Sequence, residues 1–439
     1  MNYKSNFQEN KYFLKEGILS IIVHSIGLIT SFGLNIFILK LVGVADYGKY
    51  SKLLSVINIL SAIAIIGSDL LIKKYFPIYL QEKNWYQLKS LLFYIVKNIL
   101  VFFIICLLPF FVINDYFDVF LVDFYGEQAL VIIILLVPVF TFYRIIISIV
   151  EAFDRVVIAN IIKRILFPLI FIFFIIFLNI LFELDNNYES IIKIRLILLS
   201  FFVVTLSLFI FSKFYQIITV NGFHSKNIWI SSNVFLFLIQ LSQIISNNVD
   251  NIIIGELIDD KSVSIYKVCS NLAGLILFGF SSLNVLLSPK ISRFFKNKEF
   301  LKLESHINLI SIIGFIIGLL IFIIFLIFSN TILLYFGPEF VVAKKSINVL
   351  VITFLIHCLL GPSLILMMYT KLHKEACTIL FLSLVIKIIF NIIMVPAFGI
   401  YGTALASSIT GILSYLLMTY YIMRNIKVNR TAFLFLNFR

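Results

Sequence analysis

Apolar stretches of about 20 residues follow one another from Gly17 to Met423, separated by short polar connections. A helix needs about 20 residues to cross ~30 Å of hydrocarbon, so the pattern predicts about twelve spans. They are expected near 17–39, 53–72, 91–113, 129–150, 165–182, 196–218, 230–254, 264–287, 307–329, 347–369, 377–395 and 401–423. The segments do not alternate and are about twice the length of a barrel strand, which excludes a membrane β-barrel. An all-α membrane protein is therefore expected. No connection is long enough to fold a soluble domain, so function must reside in helices, helix ends and short loops.

Composition agrees with this reading. Only 13% of residues are charged and the mean hydropathy is +1.08, whereas a soluble domain needs about a quarter charged. The polar first fifteen residues precede an apolar run too long for a signal-peptide core, which is expected to stay as the first span. Cys106, Cys269, Cys358 and Cys377 all fall inside or at the edge of spans, the place for packing residues rather than for an extracellular disulfide framework.

The net charge of +13 is a topology signal before it is a sign of nucleic acid. Lys and Arg concentrate in the N-terminus, the even-numbered loops and the C-terminus, with Lys83, Arg155 and Lys296 as examples. Both ends are thereby predicted to be cytoplasmic. The loop 114–128 carries Asp115, Asp118, Asp123 and Glu127 with no basic residue, as an outer loop should. Nucleic acid is not an expected partner.

Shifted by 216 residues, the chain matches itself weakly: Asn35 meets Asn251, Ile36 meets Ile252, Leu41 meets Leu257 and Tyr50 meets Tyr266. The polar positions carry more weight. His24, Gly27, Ser31 and Asn35 continue from Ser20 as one face of span 1, and the same shift gives Gln240, Gln243, Asn247 and Asn251 on span 7. Ser55 likewise meets Asn271, Thr141 meets His357 and Arg155 meets Lys371. Two halves of six spans have the same orientation, so the expected architecture is two parallel six-helix repeats, 1–218 and 219–439, around a central cleft. Polar faces cost free energy against lipid and are expected to line that cleft.

Charges inside spans need a partner, water or a purpose. Lys97 can snorkel to an interface. Arg144 lies one turn from both Thr141 and Ser148, and Lys387 one turn from both Ser383 and Asn391. Both are candidate cleft cations, with Lys267 a third. Asp69 and Asp250 are candidates for coupling transport to an ion, as are His24 and His357, since histidine can relay a proton. Neither histidine belongs to a metal-ligand cluster. The chain has no GxxxxGK[ST], HExxH or CxxC pattern and no filter-like loop, so ATP hydrolysis, metalloenzyme chemistry and a channel are not expected. No cofactor is expected either.

The first helix exit, Lys40 to Tyr50 (KLVGVADYGKY), resembles the RxLGxxxYGxY pattern of the polysaccharide flippases, the O-antigen type, of the multidrug/oligosaccharidyl-lipid/polysaccharide exporter superfamily. The stretch Asp250 to Gly255 leading to Tyr266, the segment Phe336 to Phe340, and Val395 to Ala404 are similar to later landmarks of that family, in the same order. Lys40 stands where an arginine is usual, and Ser264 where a glycine is frequent. The resemblance implies transport of an undecaprenyl-pyrophosphate-linked oligosaccharide from the inner to the outer leaflet of a bacterial plasma membrane, without enzymatic activity. Arg144 and Lys387 would meet the pyrophosphate, and Ser31, Asn35, Gln240, Gln243, Asn247 and Asn251 the sugar hydroxyls. Membrane lipids, a polysaccharide polymerase and a chain-length regulator are the implied partners. A cation-coupled multidrug exporter of the same superfamily and a membrane-embedded polysaccharide polymerase are the competing readings.

Overall fold

The computed structural model describes residues 3–112, 127–153, 156–183, 185–213, 234–370 and 372–426. Arg155, Lys371 and Asp118, with most of the loop 114–128, lie outside the described residues, as do the side chains of Ser20, Cys106 and Lys296.

The described chain is helical, with no strand. The helices are α1 Tyr3–Val42, α2 Val44–Ile65, α3 Ser68–Gln81, α4 Trp85–Val112 and α5 Glu127–Ala152. α6 Val156–Ile161 continues through a π-turn, Ile162–Leu166, into α7 Phe167–Phe182, and α8 Tyr188–Lys213 follows. The second half holds α9 Val234–Leu257, α10 Asp260–Gly274, α11 Phe278–Lys296 and α12 Phe300–Phe336. It closes with α13 Lys344–Leu360, α14 Ser363–Tyr369, α15 His373–Phe398 and α16 Ile400–Ile426.

Eleven helical stretches among the described residues are long and apolar enough to cross a membrane. The expected seventh span, α9, is helical over 24 residues but is not among those eleven, because Gln240, Gln243, Asn247, Asp250 and Asn251 interrupt its apolar run. Burial is inverted relative to a soluble bundle. α12 exposes Leu320, Ile323, Ile324, Leu326, Ile327 and Phe328, whereas Ser311 and Ser329 of the same helix are buried. That is the arrangement of a multi-pass membrane protein, whose solvent on the outside is hydrocarbon.

The described chain forms two compact units, one of Phe37–Ile244 and one of Ile245–Arg439 with Met1–Ile36. Their boundaries fall inside α1 and α9. In the Phe37–Ile244 unit, α5 packs against α2, α3 and α8. In the other, α13 lies between α12 and α16, and α15 and α16 form an antiparallel hairpin. Gly402 permits that hairpin: a Cβ there would collide with the carbonyl of Met394.

The second span of each half is broken. α2 ends at Ile66 and Gly67, both left-handed (φ 49° and 71°), before α3 resumes. α10 passes into α11 through a 3-10 turn, Leu275–Leu277. Gly67 meets two demands at once, since its φ suits glycine and a Cβ would come within 3.0 Å of Phe237 Cβ. A broken membrane helix exposes a half-helix N-terminus at depth, where a carboxylate is favoured by the helix dipole. Asp69 occupies that first turn of α3.

Candidate functional site

In the unit of Ile245–Arg439 with Met1–Ile36, three helices bring polar groups onto one carboxylate of a fourth. Asp250 of α9 is 6% exposed. Its Oδ2 receives the Lys387 ammonium of α15 at 2.8 Å, the Tyr266 hydroxyl of α10 at 2.9 Å and the Ser407 hydroxyl of α16 at 2.9 Å. Its Oδ1 accepts from Asn391 Nδ2 at 3.0 Å. Lys387 also donates to the Ser246 carbonyl at 2.6 Å, one turn before Asp250 on α9. The one-turn spacings 246/250 and 387/391 let two helices present paired groups to each other.

A buried ion pair is tolerated only when its remaining donors and acceptors are satisfied. Asp250 and Lys387 meet that condition. Lys267, one residue beyond Tyr266 on α10, is partly buried and lies in electrostatic reach of Asp250. Its ammonium makes no hydrogen bond or ion pair among the described residues. With both lysines protonated, Asp250, Lys387 and Lys267 together sum to one positive charge.

The Phe37–Ile244 unit brings together three more expected residues. Gln240 Nε2 of α9 donates to Asp69 Oδ2 at 2.7 Å, while Asp69 Oδ1 accepts from the Leu70 amide at 3.0 Å. Arg144 of α5 donates through Nη1 to Ser61 Oγ at 3.3 Å and interacts electrostatically with Asp69. Asp69, Arg144 and Gln240 line one crevice with Gly67 and Phe237, too narrow to admit water. Two of the expected cations, Arg144 and Lys387, thus each lie near an expected ion coupler, Asp69 and Asp250.

The other expected residues stand apart from these two clusters. His24 Nε2 lies 3.3 Å from Ser281 Oγ with its ring over Phe278, and His357 stacks on Tyr415 at 4.0 Å between ring centroids. Asn35 donates to the Ser31 carbonyl at 2.8 Å on its own helix. Asn251 is buried, Gln243 half-buried and Asn247 exposed. No group of three or more metal-ligating residues occurs among the described residues.

Sequence reading overlooked two features. Arg195 lies two turns inside α8, with Nη1 donating to Tyr50 Oη at 2.6 Å. Glu151 bridges Lys73 at 2.8 Å and Lys163 at 2.7 Å, the latter carried by the π-turn. Tyr50 and Tyr266 are the repeat-related tyrosines, and each hydroxyl meets a side chain of the last span of its own half, Arg195 or Ser407. Among the described residues only the second-half tyrosine also has an acid.

Residues 236–397 match the MatE family. The chain is similar to the "Probable low-salt glycan biosynthesis flippase Agl15" of Haloferax volcanii, at 25% identity over 177 residues. That match covers 39% of this chain and 37% of the relative, so it spans little more than a third of that protein's length. Among solved structures, an inward-facing multidrug resistance MATE family transporter of the MOP superfamily superposes with a TM-score of 0.71 at 13% identity, covering 94% of this chain and 98% of its own. A MOP superfamily transporter from Pyrococcus furiosus, described as having a binding pocket of reversed polarity that suggests a different function, superposes with a TM-score of 0.66 at 12% identity, covering 94% of this chain and 95% of its own. The chain has the MATE transporter fold.

Proposed function

We propose that the chain is a flippase that moves an undecaprenyl-pyrophosphate-linked oligosaccharide, an O-antigen or capsule repeat unit, from the cytoplasmic to the outer leaflet of a bacterial plasma membrane by alternating access. The observation that carries this reading is the sign of the charge within the helices. In the two clusters Arg144, Lys267 and Lys387 outnumber Asp69 and Asp250, and the one around Asp250 has the extra cation at Lys267. An exporter of cationic drugs would need the opposite balance. The similarity to a glycan-biosynthesis flippase supports the same cargo class.

The Asp250 cluster supplies a mechanism from this chain's own residues. With Asp250 ionised, Lys387 is held on α9. A pyrophosphate oxygen drawn in by Lys267 competes with Asp250 for the Lys387 ammonium, and a charge-assisted bond forms to the headgroup. Asp250 does not lose all its partners at that moment, because Tyr266, Ser407 and Asn391 still donate to it. Protonation of Asp250 releases Lys387 more completely, so a proton can be coupled to cargo binding. Asp69 beside Arg144 allows the same exchange in the other unit. An inside-negative potential assists outward movement of an anion by about 2.3 kcal/mol per charge per 100 mV.

The polymerase and chain-length regulator are the partners this function would require. Depleting the protein in its native host tests the reading. Lipid-linked glycan should then accumulate on the cytoplasmic leaflet, with its synthesis intact. Accumulation on the outer leaflet would point to a polymerase, and unchanged glycan with increased sensitivity to cationic dyes would point to a multidrug exporter.

A further inference from the structure

The transport mechanism leaves Arg195 unexplained. Its guanidinium sits over Phe167 and Phe171, 5.5 and 5.7 Å from the ring centroids, and Nη1 meets Tyr50. Its Nε is buried without an acceptor. Tyr143, 7% exposed, rests against Phe167 with ring centroids 5.8 Å apart and interacts electrostatically with Arg195. The Tyr143 hydroxyl is also buried without a partner. No carboxylate pairs with Arg195 among the described residues.

An arginine cannot shed its charge, and a phenylalanine face or a neutral hydroxyl softens that charge without cancelling it. Arg195 as a whole is half-buried, but its Nε is fully buried, and a buried donor is ordinarily paired. What this site lacks is an acceptor, since a guanidinium N–H and a phenol O–H both have a proton to donate. The repeat shows where the acceptor has gone. Tyr266 meets Asp250 at 2.9 Å, whereas the sequence position equivalent to Asp250 in the first half is Leu34. The first half keeps the tyrosine and adds a cation, but its equivalent sequence position holds no acid.

We propose that Arg195 and Tyr143 bind one small exogenous anion, chloride or a single phosphate oxygen, which takes the place of the missing carboxylate. The Arg195 Nε–H and the Tyr143 O–H donate to it, and Phe167 and Phe171 form the apolar wall that makes the interaction strong by excluding water. The phosphate oxygen can belong to free phosphate or to a lipid headgroup. This inference holds whatever the cargo is.

The test is thermal unfolding of the purified full-length protein as chloride replaces gluconate, as inorganic phosphate is added, and in nanodiscs of phospholipid against phosphate-free glycolipid. The wild type should show a saturable rise in unfolding temperature with at least one of these anions. Arg195→Gln should show none, and Tyr143→Phe should require on the order of tenfold more anion, the usual worth of a hydrogen bond to a charged group. Because Tyr143→Phe removes a buried hydroxyl that has no partner, it should fold as well as wild type without anion, and it carries the test if Arg195→Gln does not fold. A rise confined to phospholipid nanodiscs identifies the headgroup as the source. No rise in the wild type, or equal responses in wild type and Tyr143→Phe, overturns the proposal.

Discussion

Asp250 Oδ2 and Lys387 Nζ meet at 2.8 Å, with both residues more than nine-tenths buried and 137 positions apart in sequence. Their environments are unequal. Among the described residues Asp250 has three further side-chain donors, while Lys387 has Ser246 alone besides its acid.

That inequality predicts the order of the single mutants. Asp250→Ala leaves the buried Lys387 and the partly buried Lys267 without this acid and should destabilise the protein by about 3–5 kcal/mol. Lys387→Met leaves a carboxylate still held by Tyr266, Ser407 and Asn391 and should cost less. The double mutant Asp250→Ala/Lys387→Met should recover part of the loss. Chemical or thermal unfolding in detergent measures all three, and additive effects would show that the pair is not coupled.

At Gly67 the backbone and the packing make the same demand. Gly67→Ala places a Cβ at positive φ and 3.0 Å from Phe237, so α3 should start out of register or move off α9. A cost of about 1–3 kcal/mol is expected, with lower folded yield. Fluorescence size-exclusion of detergent extracts reads this directly, and a normal monodisperse peak at normal yield would mean the break is not strained.

Arg144 donates to Ser61 beside Asp69. Arg144→Lys keeps the charge and should retain more transport than Arg144→Ala, which is expected to lose roughly ten- to hundredfold if the cation meets the headgroup. Glycan translocation at equal protein level is the readout. Equal activity of Arg144→Ala and wild type would make this cation structural.

Topology is testable at two described loop positions. Lys83 lies between α3 and α4, and Asp259 caps α10 through Oδ1 to the Ser262 amide at 2.7 Å. Single cysteines there should react with an impermeant reagent from opposite sides, position 83 from the cytoplasm. Reaction of both from one side would contradict the charge-based orientation.

Hydropathy made the span count legible because lipid imposes length and apolarity together. It misplaced edges where polar residues enter the helix. Asp46, Lys49 and Lys52 pushed the expected start of span 2 to 53, whereas α2 begins at Val44. The same effect set span 6 at 196 and left Arg195 outside it. α8 in fact begins at Tyr188, where Asp46 Oδ2 accepts the Tyr188 amide and Asn187 Oδ1 caps the Ser190 amide. The one-turn spacing of Lys387 and Asn391 was readable, but nothing in the sequence joined them to Asp250. Helix periodicity reports which residues share a face and is silent on which faces meet.

The central claim is that the surplus positive charge around Asp250 serves an anionic lipid-linked glycan. Purified protein in proteoliposomes carrying undecaprenyl-pyrophosphate-linked oligosaccharide tests it, scored by accessibility of the glycan to an external lectin or glycosidase over time. Wild type should equilibrate the glycan between leaflets. Lys267→Gln, which leaves the Asp250–Lys387 pair intact, should slow this by about tenfold or more without loss of folded protein. No translocation by the wild type, together with expulsion of a cationic dye, would contradict the account.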